Sequence, residues 1–272
     1  MVNYDFTGKV AVVTGAARGV GREIVAAFSR AGASVVAADR DADGLAETEQ
    51  AVGAGVASVV ADISEVDGAA SIIEAAAERF GRLDICVNNA AVAPHASLLE
   101  ERVEVWDRVY AVNCRGTFLM TQAAARVLIE QAAGGRIINF SSGVSQRGAA
   151  GGAAYASSRA ATESFSRVAA IELAPHGILV NTVSPGLIDT QPRPLPARMA
   201  ERLAARIPTL PLSRAGTPEE VAALVLWLAS EASSYVSGAV YTVDGGAGVG
   251  TRSTGPVIND DPRYDWVTGR MS

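Results

Sequence analysis

Cysteine is almost missing from this chain: Cys86 and Cys114 are the only two in 272 residues. That excludes a disulfide framework and a cysteine-built metal centre, and both sit in apolar stretches as expected of buried free thiols. Histidine is equally scarce. His95 and His176 lie far apart and supply neither a metal-ligand cluster nor a Ser-His-Asp arrangement, so no metal is expected. Lys9 is the only lysine, the other 22 basic side chains being arginine, so chemistry that needs an amine has one candidate. Positive charge is in deficit, with 29 acidic side chains and a net charge of −6, which argues against nucleic acid or an anionic membrane as partner. The longest apolar run, Val221 to Ala229, is too short to cross a bilayer. The first residues, Met1 to Lys9, lack the apolar core of a secretory signal. The expectation is a soluble cytoplasmic protein.

Apolar residues are plentiful, at 49%, enough for a sizeable core. Short apolar runs recur at Lys9–Thr14, Ser34–Asp39, Ser58–Asp62, Leu83–Asn88, Arg136–Ser141, Ile178–Ser184 and Val240–Asp244. They lack polar alternation and read as fully buried strands. Helical periodicity fills the intervals near 19–31, 43–53, 66–80, 100–130, 155–174 and 218–230, and Thr217-Pro218-Glu219-Glu220 has the form of a helix start. Regular β-then-α alternation predicts an α/β fold, a single-domain, doubly wound parallel sheet of about seven strands with helices on both faces. Residues 1–246 read as that domain. Proline-rich 191–213 read as an inserted lid, and 247–272 as an irregular tail at an oligomer interface or near a neighbouring active site.

Chemistry concentrates after the first strand, in Thr14-Gly15-Ala16-Ala17-Arg18-Gly19-Val20-Gly21. Glycines at a strand-to-helix turn let backbone approach a pyrophosphate, and the helix start supplies free N–H groups. Asp39, 18 residues beyond Gly21, ends the second strand, where a carboxylate bonds ribose hydroxyls and repels a 2′-phosphate. Arg18 and Arg40 pull toward that phosphate. The balance favours NAD over NADP.

With these motifs in order, the sequence resembles a classical short-chain dehydrogenase/reductase from about Phe6 to Gly246. The resemblance implies a Rossmann-type fold and maps cofactor contacts onto Gly15, Arg18, Gly19, Val20, Gly21, Asp39, Arg40, Asp62, Ile63, Asn89 and Ala90. It adds Pro185, Gly186, Ile188 and Thr190 for the nicotinamide end. The family's Asn-Asn-Ala-Gly element reads Asn88-Asn89-Ala90-Ala91, an alanine standing where the family has glycine. The catalytic asparagine maps to Asn113, the serine to Ser142 and the tyrosine to Tyr155, 13 residues later.

The family's Tyr-x-x-x-Lys reads Tyr155-Ala156-Ser157-Ser158-Arg159. A guanidinium is a permanent cation that can fork onto two ribose hydroxyls and lower the tyrosine pKa, but it does not relay a proton. The implied reaction is hydride transfer between the nicotinamide and a secondary alcohol or ketone. A catalytically silent dinucleotide-binding scaffold or sensor is the alternative that Arg159 raises. An enoyl reductase would need a lysine near Ala161 or Thr162, and there is none. Substrate walls are expected from His95, Val144, Gln146, Leu187 and the lid; His95 reads equally as a solvent-facing loop residue. The basic stripe of Arg198, Arg202 and Arg206 reads as the solvated face of a lid helix. By resemblance the protein is a homo-oligomer, a tetramer or a dimer, built on the helices near 100–130 and 155–174.

Overall fold

The computed structural model describes residues 4–190, 197–251, 264–265 and 270–271. Seven strands form one parallel sheet: β1 (Val10–Thr14), β2 (Ser34–Asp39), β3 (Val56–Val60), β4 (Ile85–Asn88), β5 (Gly135–Phe140), β6 (Ile178–Pro185) and β7 (Val240–Val243). Their order is β3-β2-β1-β4-β5-β6-β7. The strand order reverses between β1 and β4, and a sheet of this kind opens a crevice at the carboxyl ends of those strands. The helices are α1 (Gly19–Arg30), α2 (Ala42–Val52), α3 (Val66–Phe80), α4 (Val103–Tyr110), α5 (Thr117–Gln131), α6 (Ala153–Leu173), α7 (Ala197–Arg206) and α8 (Pro218–Ala229).

Side chains alternate across each strand, so a strand covered on both faces must be apolar throughout. Ala11 and Val13 of β1 join Ile24, Val25 and Phe28 of α1 and Val221, Val225 and Leu228 of α8 in one core. Val10 and Val12 face the other way, onto Ile72 and Ile73 of α3, Met120 and Leu128 of α5 and Ala169 and Ala170 of α6. Each large side chain buried there contributes about 1.5–3 kcal/mol, and Phe28→Ala would cost about 3–5 kcal/mol through the cavity it leaves. α8 begins as its sequence suggests: the Thr217 hydroxyl accepts from the Glu220 N–H, and the Glu220 carboxylate accepts from the Thr217 N–H at 2.9 Å.

Four expectations need correction. The third strand starts and ends two residues early, because Val56 pairs with Val35 directly after the Gly53–Gly55 turn and Asp62 folds back onto the Ser64 N–H at 2.9 Å. The edge strands β3 and β7 are only half-buried, each having one neighbour in the sheet. The helix expected over 100–130 is not uniform, since a π turn at Ala111–Gly116 joins α4 to α5. The tail is not wholly irregular: Tyr264–Asp265 pairs antiparallel with Arg270–Met271. Lid residues 191–196 and the rest of the tail lie outside the described residues. Along α7 and the turn after it, Arg202 and Arg206 are exposed while Leu203 and Ile207 are partly buried, as the stripe suggests; the side chain of Arg198 is outside the described set.

Candidate active site

The crevice holds a cavity of about 470 Å³ at the carboxyl ends of β1, β2 and β4. Gly15, Arg18, Gly19, Val20, Gly21, Asp39, Arg40, Asp62, Ile63, Asn89, Ala90 and Thr190 all line it, twelve positions that the sequence picked out. Arg108 and Val112 also line it and were missed, because nothing in the sequence links α4 to the end of β3.

The glycines are dictated by space. A Cβ on Gly21 would lie 2.0 Å from the Gly15 carbonyl oxygen, and one on Gly15 would lie 2.7 Å from the Asn89 Nδ2. Gly15 also has φ +69°, which side chains with a Cβ rarely adopt. Asn89 Nδ2 donates to the carbonyls of Thr14 and Gly15 at 2.9 and 3.2 Å, tying the loop to the end of β4. The first turn of α1 has no acidic residue and no side-chain cap, so its amide donors face the cavity free for an anion. These features fit a dinucleotide pyrophosphate. Among described non-glycine residues only Ala132 and Ser213 take positive φ, so Ala91 is unstrained where the family has glycine.

Both acidic residues of the cavity are fastened. Asp39 accepts from the Ala17 N–H at 3.1 Å through Oδ2 and from the Asp41 N–H at 3.1 Å through Oδ1, holding the glycine loop to the end of β2. Asp62 accepts from Arg108 Nη2 at 2.6 Å and from the Ser64 hydroxyl at 2.7 Å. Burial pushes the Asp62 carboxyl up, but these bonds and the Arg108 charge win and bring it down to about 2.

Beyond the cavity, α6 presents Tyr155 in its first turn and Arg159 one turn later. Arg159 is 3% exposed, its Nη1 donates to the Phe140 carbonyl at 2.8 Å, and its buried Nε has no protein partner. Its guanidinium carbon lies 5.2 Å from the Tyr155 ring centroid. Burial pushes the Tyr155 phenol up; the Arg159 charge, with hydrogen bonding from Arg159 and Ser142, outweighs it and leaves the phenol below its ordinary value. Ser142 sits in the loop that follows β5, where Ser145 N donates back to the Ser142 carbonyl at 2.9 Å.

Asn113 lies in the π turn, a distortion often found at functional sites. Fully buried, it grips Val92 in both directions at 3.0 Å and donates to the Ser158 hydroxyl at 3.0 Å. β6 ends at Pro185, whose carbonyl accepts from Gly143 N at 3.3 Å, and Gly186 N donates to Val243 O at 2.9 Å. Ile188 bridges to Gly216, and the Leu187 carbonyl accepts from Gly216 N at 2.9 Å. Val144 is half-buried and Gln146 exposed in the Ser142 loop. His95 is exposed, with Nδ1 turned to its own Ala93 carbonyl at 3.2 Å. The Ala96 N–H donates to the Gly151 carbonyl at 3.1 Å, joining the His95 loop to the segment before α6. Both cysteines are free, Cys86 buried and Cys114 half-buried, and burial pushes the Cys86 thiol up to about 12. Among the described residues no group of acidic, histidine and cysteine side chains could hold a metal, and no helix is long and apolar enough to span a membrane.

Comparison with known proteins agrees with this geometry. Residues 15–248 match the family described as enoyl-(acyl carrier protein) reductase. The chain is 38% identical to the 3-oxoacyl-(acyl-carrier-protein) reductase FabG of Thermotoga maritima over 88% of this chain and 97% of that protein. It is 36% identical to galactitol 2-dehydrogenase of Agrobacterium fabrum, over 88% of this chain and 96% of that one. A crystal structure of a short-chain type dehydrogenase/reductase from Mycobacterium marinum superposes with a TM-score of 0.84 at 36% identity, covering 90% of this chain and 97% of that one.

Proposed function

The chain belongs to the classical short-chain dehydrogenase/reductase family, a family of NAD(P)-dependent oxidoreductases, and from that premise we propose that it interconverts a secondary alcohol and a ketone with NAD. The observation that carries this reading is the buried Arg159 guanidinium, 5.2 Å from the centre of the Tyr155 ring, whose charge lowers the phenol's pKa against the rise that burial gives it. A phenol lowered in this way exchanges a proton with a substrate oxygen more readily than a free phenol does.

A nicotinamide bound at the end of the crevice supplies or accepts the hydride. Ser142 hydrogen-bonds the substrate oxygen and fixes it beside the Tyr155 hydroxyl. Tyr155 takes the alcohol proton in oxidation and returns one in reduction; its place in the first turn of α6 puts the helix's positive end beside the phenolate. Arg159 acts by charge and by its donors toward ribose, since a guanidinium does not give up a proton. Asn113 holds the Val92 segment that walls the crevice. Asp39 receives the ribose hydroxyls and disfavours a 2′-phosphate, which is the support for NAD over NADP.

His95, Val144, Gln146 and Leu187 border the substrate space, residues 1–246 act as the catalytic unit, and 191–213 serve as its lid. The protein works as a soluble cytoplasmic homo-oligomer of two or four copies on a small alcohol or ketone. Following nicotinamide absorbance with a panel of secondary alcohols and ketones tests the reading, with Tyr155→Phe as control. Turnover lost in that variant while NAD still binds supports it. Turnover that survives Tyr155→Phe, or NAD binding without turnover on any panel member, points to the silent scaffold instead.

A further inference from the structure

Glu163 is an acidic side chain only 7% exposed, on α6 one turn beyond Arg159 and two beyond Tyr155. Residues four apart share a helix face, so the three form one line. Burying a carboxylate is costly unless it is well hydrogen-bonded. An apolar side chain would fill the contact between helix and loop at less cost.

Its partners explain the carboxylate. Ser141 Oγ donates to Glu163 Oε1 at 2.6 Å, and Ser145 Oγ donates to the same oxygen at 2.5 Å. These serines flank Ser142 on either side, and the Ser145 N–H closes the turn onto the Ser142 carbonyl. One oxygen therefore pins both ends of the turn that carries Ser142. The pin stands on the same helix as the Tyr155 phenol, so the Ser142 turn and the phenol move with one rigid element.

We propose that Glu163 is a positioning residue, which sets Ser142 opposite Tyr155 by clamping Ser141 and Ser145 to α6. This rests on the reading that Ser142 and Tyr155 act together on the substrate oxygen. The clamp needs an acceptor at this position, so glutamine can replace glutamate and leucine cannot.

The test has two readouts: turnover of the secondary-alcohol panel with NAD, and amide hydrogen exchange of the Gly143 and Ser145 N–H groups in the ligand-free protein. Glu163→Leu lowers kcat about a hundredfold, as expected of a misplacement near 1 Å, with the KM for NAD little changed. Its loop amides exchange about tenfold faster, the effect of losing the two serine hydrogen bonds. Glu163→Gln recovers most of both losses. Ser145→Ala, which leaves the helix untouched, shows a smaller loss of kcat and keeps the test available if the leucine variant does not fold. Unchanged exchange in Glu163→Leu and in Ser145→Ala overturns the clamp; so does a glutamine variant as damaged as the leucine one. Faster exchange with full kcat leaves a clamp without a positioning role and also overturns the proposal. An inert wild type refutes the alcohol/ketone reading, and the exchange data then judge the clamp separately.

Discussion

The Arg159 guanidinium carbon sits 5.2 Å from the centre of the Tyr155 ring, and its Nη1 is anchored on the Phe140 carbonyl. The cation is thus anchored on the sheet beside the phenol it acts on. A charge over an aromatic face is attracted to the ring and favours the phenolate. Cys114 also faces this charge, which opposes the rise that burial gives its thiol.

Replacing Arg159 with methionine removes the charge and leaves burial dominant, so the Tyr155 pKa rises. The alkaline-going limb of the oxidation rate moves to higher pH, and the rate at neutral pH falls on the order of a hundredfold. Arg159→Lys restores a cation and keeps the limb near its original position. The pH dependence of kcat/KM for the three proteins checks this; a methionine variant with the original limb shows that the guanidinium does not tune the phenol.

Gly21→Ala places a methyl group 2.0 Å from the Gly15 carbonyl oxygen, a backbone atom that cannot swing away. The loop must open, costing about 1–3 kcal/mol of stability and weakening NAD binding at least tenfold. Calorimetric titration with NAD and a thermal melt measure the two effects.

Much of this was legible in the sequence, for a reason visible in β1. Its residues pack alternately into two cores, so the whole run is apolar and stands out, as do β2, β4, β5 and β6. The glycine loop was legible because its spacing follows from steric exclusion at Gly15 and Gly21. What escaped depended on contacts between distant segments. Arg108 reaches Asp62 across 46 positions, and the π turn at Asn113 is a backbone distortion with no side-chain signature. Glu163 had a signal, its spacing of four from Arg159, but its partners lie in a loop with no periodicity. Edge strand β3 was misplaced by two residues because its start is set by pairing with β2.

Asp39 carries its negative charge at the end of β2, with Arg18 and Arg40 lining the same cavity. Asp39→Ser removes a like charge from the position of a 2′-phosphate and leaves both arginines to meet it. The ratio of kcat/KM for NADP over NAD rises at least tenfold, since like-charge juxtaposition costs several kcal/mol. The loss of the Ala17 bond also lowers the value for NAD. Steady-state kinetics with both cofactors decide it; an unchanged ratio means that Asp39 does not select.

Phe118 of α5 is 41% exposed and packs edge-on against Phe165 of α6, while Val168 and Ile171 on α6 are 50% and 75% exposed. An apolar stripe across two neighbouring helices suits a second copy of the chain. Val168→Asp and Ile171→Asp together are expected to lower the oligomeric mass seen by sedimentation while the sheet still folds. An unchanged mass shows that this face does not join copies of the chain.

Asp62 links the cavity to acid stability. Its folded pKa of about 2 lies below the unfolded value of about 3.9, so its contribution is fully present above pH ~4 and is lost as pH falls from there through about 2. Arg108→Met removes the cation that binds Asp62 Oδ2, returning the carboxyl toward the ordinary range. At neutral pH the wild type melts higher than this variant, and the gap narrows as pH drops below ~4, because protonation then removes from the wild type what the substitution already removed. Melting temperatures across that window test the sign: a gap that widens on acidification shows that the ion pair does not hold Asp62 ionised.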